Sequence, residues 1–292
     1  MVRVVGIHGI AQQYQSGPQR TDEWLPALRG GLEVAGFRPV ADQFTETDLR
    51  VAFFGDLFRR PGSMAGGEPR YSERDLGPAD EELLTVLYQE AVAQDPTVGP
   101  QVGAMAGRVP VPVQVVLAGL LRSPTFAGIA KHLLIGNLKQ VSGYFDDPLL
   151  REQVLDRVAA EVTPATRVVI GHSLGSVVAY EYCCRCKPTG VELLVTLGCP
   201  LGIPRLIFDR LDPPPTHGRG AWPDPALRWV NVADPNDVVA LRKRLAPYFG
   251  PSSVGISVVD RLVDNGSQPH DASRYLNNRQ TGEAVGASLT GP

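Results

Sequence analysis

The sequence lacks the features that mark nucleic-acid-binding and membrane-spanning proteins. Its formal net charge is −3 over 292 residues, whereas nucleic-acid-binding domains are usually basic. It contains no block of five or six like charges, so a charged interaction tail is not expected. The longest apolar stretch, residues 109–121, is interrupted by two prolines and is too short to cross a bilayer. We therefore expect neither a nucleic-acid partner nor a transmembrane segment.

The N-terminal residues also lack the pattern of an export signal, which requires a basic start, a longer apolar run and a small-residue cleavage site. A cytoplasmic location is the resulting expectation. Cysteine is scarce, and its four occurrences do not have the paired spacing of a zinc site. We expect free thiols there, with a metal site or a disulfide as the alternative. The four are Cys183, Cys184, Cys186 and Cys199.

Short apolar runs alternate with amphipathic segments along most of the chain. This alternation is typical of βα units on a mostly parallel sheet, so the predicted fold class is α/β. The predicted strands are residues 2–7, 49–54, 167–170, 191–197, 227–232 and 254–259. The predicted helices are residues 22–35, with Thr21 as the N-cap, then 151–162, 174–186 and a closing helix that includes 274–278.

The alternation stops between residues 56 and 145. This stretch contains a predicted loop at 59–80, a predicted helix at 81–93 and apolar residues at helical spacing from Phe126 to Val141, but no regular strand. Loops of such length are uncommon unless they are functional. We therefore predict a core of residues 1–55 and 146–292, with residues 56–145 as a helical cap or lid. The alternative is a helical embellishment on the side of the core.

A serine between two glycines directly follows the third predicted strand. Residues 171–175 have the sequence Gly-His-Ser-Leu-Gly, and a predicted helix begins at once. Such a turn forces the serine into a strained backbone conformation and displays its hydroxyl group above the sheet. The N-terminal end of the helix favours negative charge at the same place, as acyl transfer requires. Ser173 is therefore the candidate nucleophile, and the amide of Leu174 is a candidate oxyanion donor.

This strand, turn and helix resemble the nucleophile elbow of the α/β-hydrolase superfamily, in particular of its lipase-like and esterase-like members. The resemblance covers most of the chain outside residues 56–145, and it implies an α/β-hydrolase fold. It also implies the chain order serine, acid, histidine. Of the five histidines, His217 precedes the last predicted strands, whereas His270 follows them. We therefore expect His270 to be the general base.

Two aspartates compete for the role of the acid. Asp237, followed by Val-Val-Ala, resembles the Asp-x-Val run of the superfamily and is the favoured candidate. Asp234 lies closer to the preceding strand and is the alternative, although it is equally suited to form a turn or cap a helix. The resemblance further implies that the amide of Ile10, in the loop after the first strand, completes the oxyanion hole with that of Leu174.

These residues together favour a serine hydrolase that cleaves a small-molecule ester through an acyl-enzyme, without a metal or organic cofactor. The apolar residues of 56–145 favour a lipophilic acyl group. Thioesterase, peptidase and acyltransferase reactions use the same triad, and the fold does not choose among them. A non-catalytic binding or scaffold protein with this fold is a further alternative.

Overall fold

A computed structural model describes residues 1–59, 71–99, 112–123, 126–127 and 130–291 of the chain. Within these residues, six strands form one sheet: β1 (Val4–Ile7), β2 (Leu49–Ala52), β3 (Val168–His172), β4 (Leu193–Leu197), β5 (Arg228–Ala233) and β6 (Val259–Leu262). Their order is β2-β1-β3-β4-β5-β6, and each neighbouring pair is parallel. β1, β3 and β4 are mostly apolar and fully buried, as expected for a parallel sheet that is covered on both faces.

Helices cover both faces of the sheet. Those described are α1 (Gly17–Val34), α2 (Arg38–Gln43), α3 (Pro78–Gln94), α4 (Val113–Leu120), α5 (Lys131–Asp146), α6 (Pro148–Glu161), α7 (Leu174–Cys186), α8 (Ala272–Leu276) and α9 (Arg279–Thr290). Side chains alternate between faces along a strand. Val4 therefore belongs to the apolar cluster that includes residues of α1, α2, α8 and α9, whereas Val5 belongs to the one that includes residues of α3 to α7. The predicted α/β fold with a mostly parallel sheet is confirmed.

The first helix begins earlier than predicted, and Thr21 is not its N-cap. α1 begins at Gly17, and the side chain of Ser16 caps it by accepting a hydrogen bond from the amide of Gln19 at 3.4 Å. Thr21 lies inside the helix and is buried, and its Oγ1 accepts a hydrogen bond from the amide of Val51 at 3.2 Å. A hydroxyl group that binds a neighbouring strand and one that caps a helix look alike in a sequence.

The last strand is also misplaced in the prediction. Residues 254–259 contain a turn with Gly255 at a φ of 85°, and β6 begins only at Val259. β6 lies at the edge of the sheet and is partly exposed, so it lacks the apolar run that marks an interior strand. The predicted closing helix is in fact two helices, α8 and α9, and the short α2 was not predicted.

The described part of residues 56–145 contains α3, α4 and α5 but no strand, and α3 begins at Pro78, before the predicted start at Glu81. The apolar side chains of these helices belong to the same cluster as one face of the sheet. Residues 60–70 of the predicted loop, and residues 128–129 of the predicted apolar stripe, lie outside the described residues. The division into a core and a lid therefore stays a prediction. No helix in the described ranges combines the length and apolar composition needed to cross a bilayer.

Candidate active site

Ser173 lies at the junction of β3 and α7, at the carboxyl edge of the sheet. Its backbone has a φ of 55° and a ψ of −129°, a conformation that a non-glycine residue rarely adopts. The neighbouring glycines are required by space: a Cβ atom at Gly171 would lie 2.4 Å from the Gly175 carbonyl oxygen, and one at Gly175 would lie 2.1 Å from the Ile7 carbonyl oxygen. The close approach of β1, β3 and α7 thus holds Ser173 in its strained turn.

A continuous chain of hydrogen bonds joins Ser173 to His270 and Asp237. His270 Nε2 lies 3.1 Å from Ser173 Oγ, and His270 Nδ1 lies 2.7 Å from Asp237 Oδ2. The three residues follow β3, β6 and β5, whose carboxyl ends meet at one edge of the sheet. The structure therefore brings together the three side chains that the sequence singled out, in the arrangement expected of a nucleophile, a base and an acid.

Asp237 is held as a buried carboxylate. Its Oδ1 accepts hydrogen bonds from the amides of Val239 at 2.9 Å and Ala240 at 3.4 Å. Burial alone would raise its pKa, but the charge of His270 and the hydrogen bonds from His270 and Tyr275 outweigh burial, and the pKa of Asp237 lies below its ordinary value. Asp237 is therefore ionised at neutral pH, and its Oδ2 accepts the hydrogen bond from His270 Nδ1.

Asp234, the alternative acid, has a different environment. Its Oδ1 accepts a hydrogen bond from the amide of Asn236 at 2.7 Å, and its Oδ2 accepts one from the amide of Asn265 at 2.5 Å. Both oxygens thus bind backbone amides of the loops after β5 and β6. The carboxylate that contacts His270 is that of Asp237.

Tyr275, which the sequence did not single out, bridges the two aspartates. Its hydroxyl group accepts a hydrogen bond from the Asp234 amide at 2.8 Å and donates one to Asp237 Oδ2 at 2.9 Å. Burial raises its pKa, so the hydroxyl group keeps its proton and remains a donor. Tyr275 follows His270 by five residues, but a tyrosine in a closing helix is more often a core residue, and no local pattern marks this one.

Two further histidines shape the loops around the serine. His172 Nε2 donates to the carbonyl oxygen of His270 at 3.0 Å, and burial, with the charge of His270, lowers the pKa of His172 to about 3. His8 Nε2 accepts from the amide of Phe54 at 3.2 Å, so its Nδ1 carries the proton and donates to the carbonyl oxygen of Gly9 at 2.6 Å. Burial lowers the pKa of His8 to about 4. Both rings are neutral at pH 7 and bind backbone groups.

The two expected oxyanion donors belong to segments that flank Ser173. Leu174 is the first residue of α7, so its amide is one of those that have no acceptor within the helix. Ile10 lies in the loop after β1, where Gly9 packs so closely that a Cβ atom there would lie 2.8 Å from Ser173 Cβ. Ile10, Leu174 and Ser173 line the same cavity.

A glutamine from α5 holds the loop after β1. Ala11 has a φ of 65°, and its amide donates a hydrogen bond to Gln140 Oε1 at 3.2 Å. Gln140 is buried, and its Nε2 donates to the carbonyl oxygen of Gly136 at 3.3 Å. The sequence did not single out this contact, although a polar residue beside the apolar stripe that ends at Val141 is a signal for it.

The cavity above Ser173 has a volume of about 340 Å³, near the lower end of the range for small-molecule sites. One wall is apolar and comes from α3, α5 and the segment after β4. Another part of the lining comes from α1, the loop before it and the residues around the start of α8. We call it the polar wall because it carries the charged side chains, although Trp24 and Ala272 also belong to it. The apolar wall includes Leu83, Leu87, Leu134, Leu138, Ile203 and Ile207, and the polar wall includes Gln12, Arg20, Glu23, Asp271 and Ser273.

Two other residues considered in the sequence lie away from this arrangement. His217 is exposed in a tight turn and is not among the residues that line the cavity. Cys199 is buried, and burial raises its pKa to about 12, so it is a protonated thiol at neutral pH. All four cysteines are free thiols in the structure.

Residues 124–277 match the sequence model of the alpha/beta hydrolase family, and this range is more than half of the chain. Since the six-stranded parallel sheet has the corresponding architecture, the chain belongs to the alpha/beta hydrolase family, and its function is of the hydrolase type. The predicted resemblance to the α/β-hydrolase superfamily is confirmed. No match was found among curated proteins or among solved structures.

Proposed function

We propose that this protein is a serine esterase that cleaves small carboxylic esters through an acyl-enzyme. The observation that carries the proposal is the hydrogen-bonded chain from Asp237 through His270 to Ser173 at the floor of a cavity. In this proposal, Ser173 is the nucleophile, His270 the general base and Asp237 the acid that orients the imidazole. The proposed chemistry requires no metal and no organic cofactor.

The protonation states support the direction of proton transfer. The ionised Asp237 accepts the Nδ1 proton of His270, which leaves Nε2 with a lone pair directed at Ser173 Oγ. His270 takes the serine proton as Oγ attacks the ester carbonyl carbon, and it later donates that proton to the leaving alkoxide. Water then attacks the acyl-enzyme by the same steps and releases the acid.

Negative charge develops on the carbonyl oxygen during both attacks. The amides of Ile10 and Leu174 are proposed to bind this oxygen, because they belong to the two segments that flank Ser173 at the cavity. Donors fixed before the reaction need no reorganisation as the charge appears, so they stabilise the transition state more than the ground state. Gln140 contributes indirectly, since its side chain holds the loop that carries Ile10.

The apolar wall of the cavity favours an apolar acyl or alcohol group, and the small volume favours a short one. The experiment that tests the proposal is turnover of p-nitrophenyl esters from acetate to laurate, with matched thioester and amide substrates, together with labelling by a fluorophosphonate probe. We expect short and medium esters to be cleaved fastest and Ser173 to be labelled. Thioesterase activity would instead appear as a preference for the thioester substrates, and peptidase activity as a preference for the amide substrates.

Ser173→Ala should abolish both turnover and labelling. Ser257→Ala is the matched control, because Ser257 is exposed in the loop before β6 and does not line the cavity. The proposal is refuted if the wild-type protein turns over none of the substrates and is not labelled, while a known serine hydrolase is labelled under the same conditions. That result would favour a binding role.

A further inference from the structure

An arginine in the polar wall of the cavity is buried without full compensation. Arg20 lies in the first turns of α1 and is only 8% exposed. Its Nη1 donates to Gln12 Oε1 at 2.6 Å, and its Nη2 forms an ion pair with Glu23. Its Nε is buried and has no hydrogen-bond partner among the described residues. Arginine is rarely buried unless it is paired, so this donor requires an explanation.

The side chains that bind Arg20 do not account for its burial. Gln12 is uncharged, and the side chain of Glu23 is half exposed, so its ion pair is weakened by water. Burial lowers the pKa of Arg20, and the charge of Asp271 offsets this effect only in part. A guanidinium group has five N–H donors in a fixed planar arrangement that matches a carboxylate with two parallel hydrogen bonds. Arg20 uses only part of this capacity. Arg20 is one of the residues that line the catalytic cavity.

Arg20 also acts electrostatically on the site. After the larger effect of burial, its positive charge contributes to the lowered pKa values of His8 and His172, which flank the serine in the cavity lining. Arg20 and Ser173 line the same cavity, so a substrate bound there can contact both residues.

The carboxylates on this wall limit the charge that a ligand can carry. Asp271 is engaged as the N-cap of α8, where its Oδ1 accepts from the amide of Arg274 at 2.9 Å. Glu23 is engaged by Arg20 and borders the solvent. A singly charged carboxylate can take the place of Glu23 on Arg20 while Glu23 turns to water. A doubly charged phosphate would meet stronger repulsion from both acidic side chains.

We propose that Arg20 binds a carboxylate of the substrate, so that the protein acts on esters with an apolar group on one side and a carboxylate on the other. The apolar portion lies against the helices α3 and α5, and the carboxylate lies against α1. This inference rests on the proposed function of Ser173, which it extends to the class of substrate.

The test compares two matched pairs of esters, one for each side of the scissile bond. p-Nitrophenyl hydrogen adipate is compared with p-nitrophenyl hexanoate, and the butyrate ester of 3-hydroxybenzoate with that of 3-hydroxybenzamide. We expect the wild-type kcat/KM to favour the carboxylate by about tenfold or more in one pair, as a charge-assisted pair of hydrogen bonds would give. Arg20→Gln should remove this preference, and Arg20→Lys should keep part of it.

Arg29→Gln is the matched control on the same helix, because the Arg29 Nε donates to the carbonyl oxygen of Ala41 at 3.1 Å, outside the cavity lining. It should keep the wild-type preference. Fluorophosphonate labelling and a thermal melt establish that each variant is folded with an intact serine. The inference is overturned if the wild type prefers the carboxylate ester in neither pair. It is also overturned if Arg20→Gln and Arg20→Lys both keep the full wild-type preference.

A binding measurement separates this inference from the proposed function. The same esters are titrated calorimetrically into Ser173→Ala and into the double variant Ser173→Ala with Arg20→Gln. Tighter binding of a carboxylate ester than of its neutral partner, lost in the double variant, supports the carboxylate site even if the wild-type protein turns over no ester. Equal binding of both partners by Ser173→Ala refutes it.

Discussion

Replacing Asp237 with asparagine changes one atom in a position where the structure fixes the orientation of the new amide group. The Oδ1 of Asp237 accepts from two backbone amides, those of Val239 and Ala240. Because only an oxygen can accept these bonds, the asparagine oxygen should occupy this position. Its NH₂ group then faces His270 Nδ1 in place of Oδ2.

This orientation selects the unproductive tautomer of the His270 imidazole. An NH₂ group donates a proton, so His270 must accept it at Nδ1 and carry its own proton on Nε2. An Nε2 that carries a proton cannot accept the one from Ser173, although it remains within hydrogen-bonding distance. In the serine-protease template the same replacement lowers kcat by about 10⁴-fold through the wrong tautomer. We expect a loss in kcat/KM of about 10³-fold to 10⁴-fold for Asp237→Asn.

Asp234→Asn is the matched comparison, since it makes the same change three residues away. Both oxygens of Asp234 accept backbone amides, so one amide will face an NH₂ group in the variant. The expected cost is about 1–3 kcal/mol in the free energy of unfolding. His270 keeps its tautomer, so the loss in kcat/KM should be about tenfold or less.

The assay is kcat/KM on p-nitrophenyl butyrate, with urea unfolding of both variants to separate activity from stability. Fluorophosphonate labelling of Ser173 provides a second measure of the activated nucleophile and should be slowed in Asp237→Asn. A greater loss of activity in Asp234→Asn, with both proteins folded, would refute the assignment of Asp237 as the acid. An Asp237→Asn variant with near wild-type activity would refute the tautomer argument itself.

Three other outcomes follow from the site. Tyr275→Phe removes a donor to Asp237, so its carboxylate should stabilise the imidazolium more strongly. The acid limb of the kcat/KM profile should move to higher pH, and an unchanged profile would contradict this role. Gln140→Leu leaves the Ala11 amide without its acceptor and should lower kcat by about tenfold with little change in KM; kinetics equal to wild type would exclude the contact as a positioning device. The pKa of Asp237 is lowered on folding, so its stabilising contribution is complete above the unfolded-state pKa of about 3.9 and is lost as the pH falls through the folded-state value. Lowering the pH from 6 to 3 should therefore decrease the free energy of unfolding, measured in urea, more for the wild type than for Asp237→Asn. Equal decreases would contradict this contribution of Asp237.

The elements that the sequence predicted well are those whose signals are local. The turn at Ser173 has two glycines, a preceding apolar strand and a following helix within a few residues, so it is recognisable without tertiary information. His270 and Asp237 required the chain order of the superfamily in addition. The structure places these three side chains in contact, while their catalytic roles stay a prediction.

The residues that the sequence missed depend on contacts between distant segments. Gln140 and Ala11 are 129 residues apart in the chain, and Tyr275 contacts aspartates in a loop that follows another strand. Glutamine and tyrosine are common residues with no spacing rule that would reveal such contacts. Arg20 precedes the predicted start of α1 at residue 22, so the sequence pattern does not place it on that helix.

The contacts of α5 have a consequence for any shortened form of the chain. Besides Gln140, this helix carries Tyr144, whose hydroxyl group donates to the buried carboxylate of Glu181 in α7 at 2.5 Å. Deleting residues 56–145 would remove the acceptor of the Ala11 amide and one donor to the Glu181 carboxylate, which would keep its bonds to Arg151 and to the Asp212 amide. The segment is thus not a detachable module that only selects the substrate. We expect a shortened chain to lose stability near the loop after β1 unless another residue accepts the hydrogen bond from the Ala11 amide.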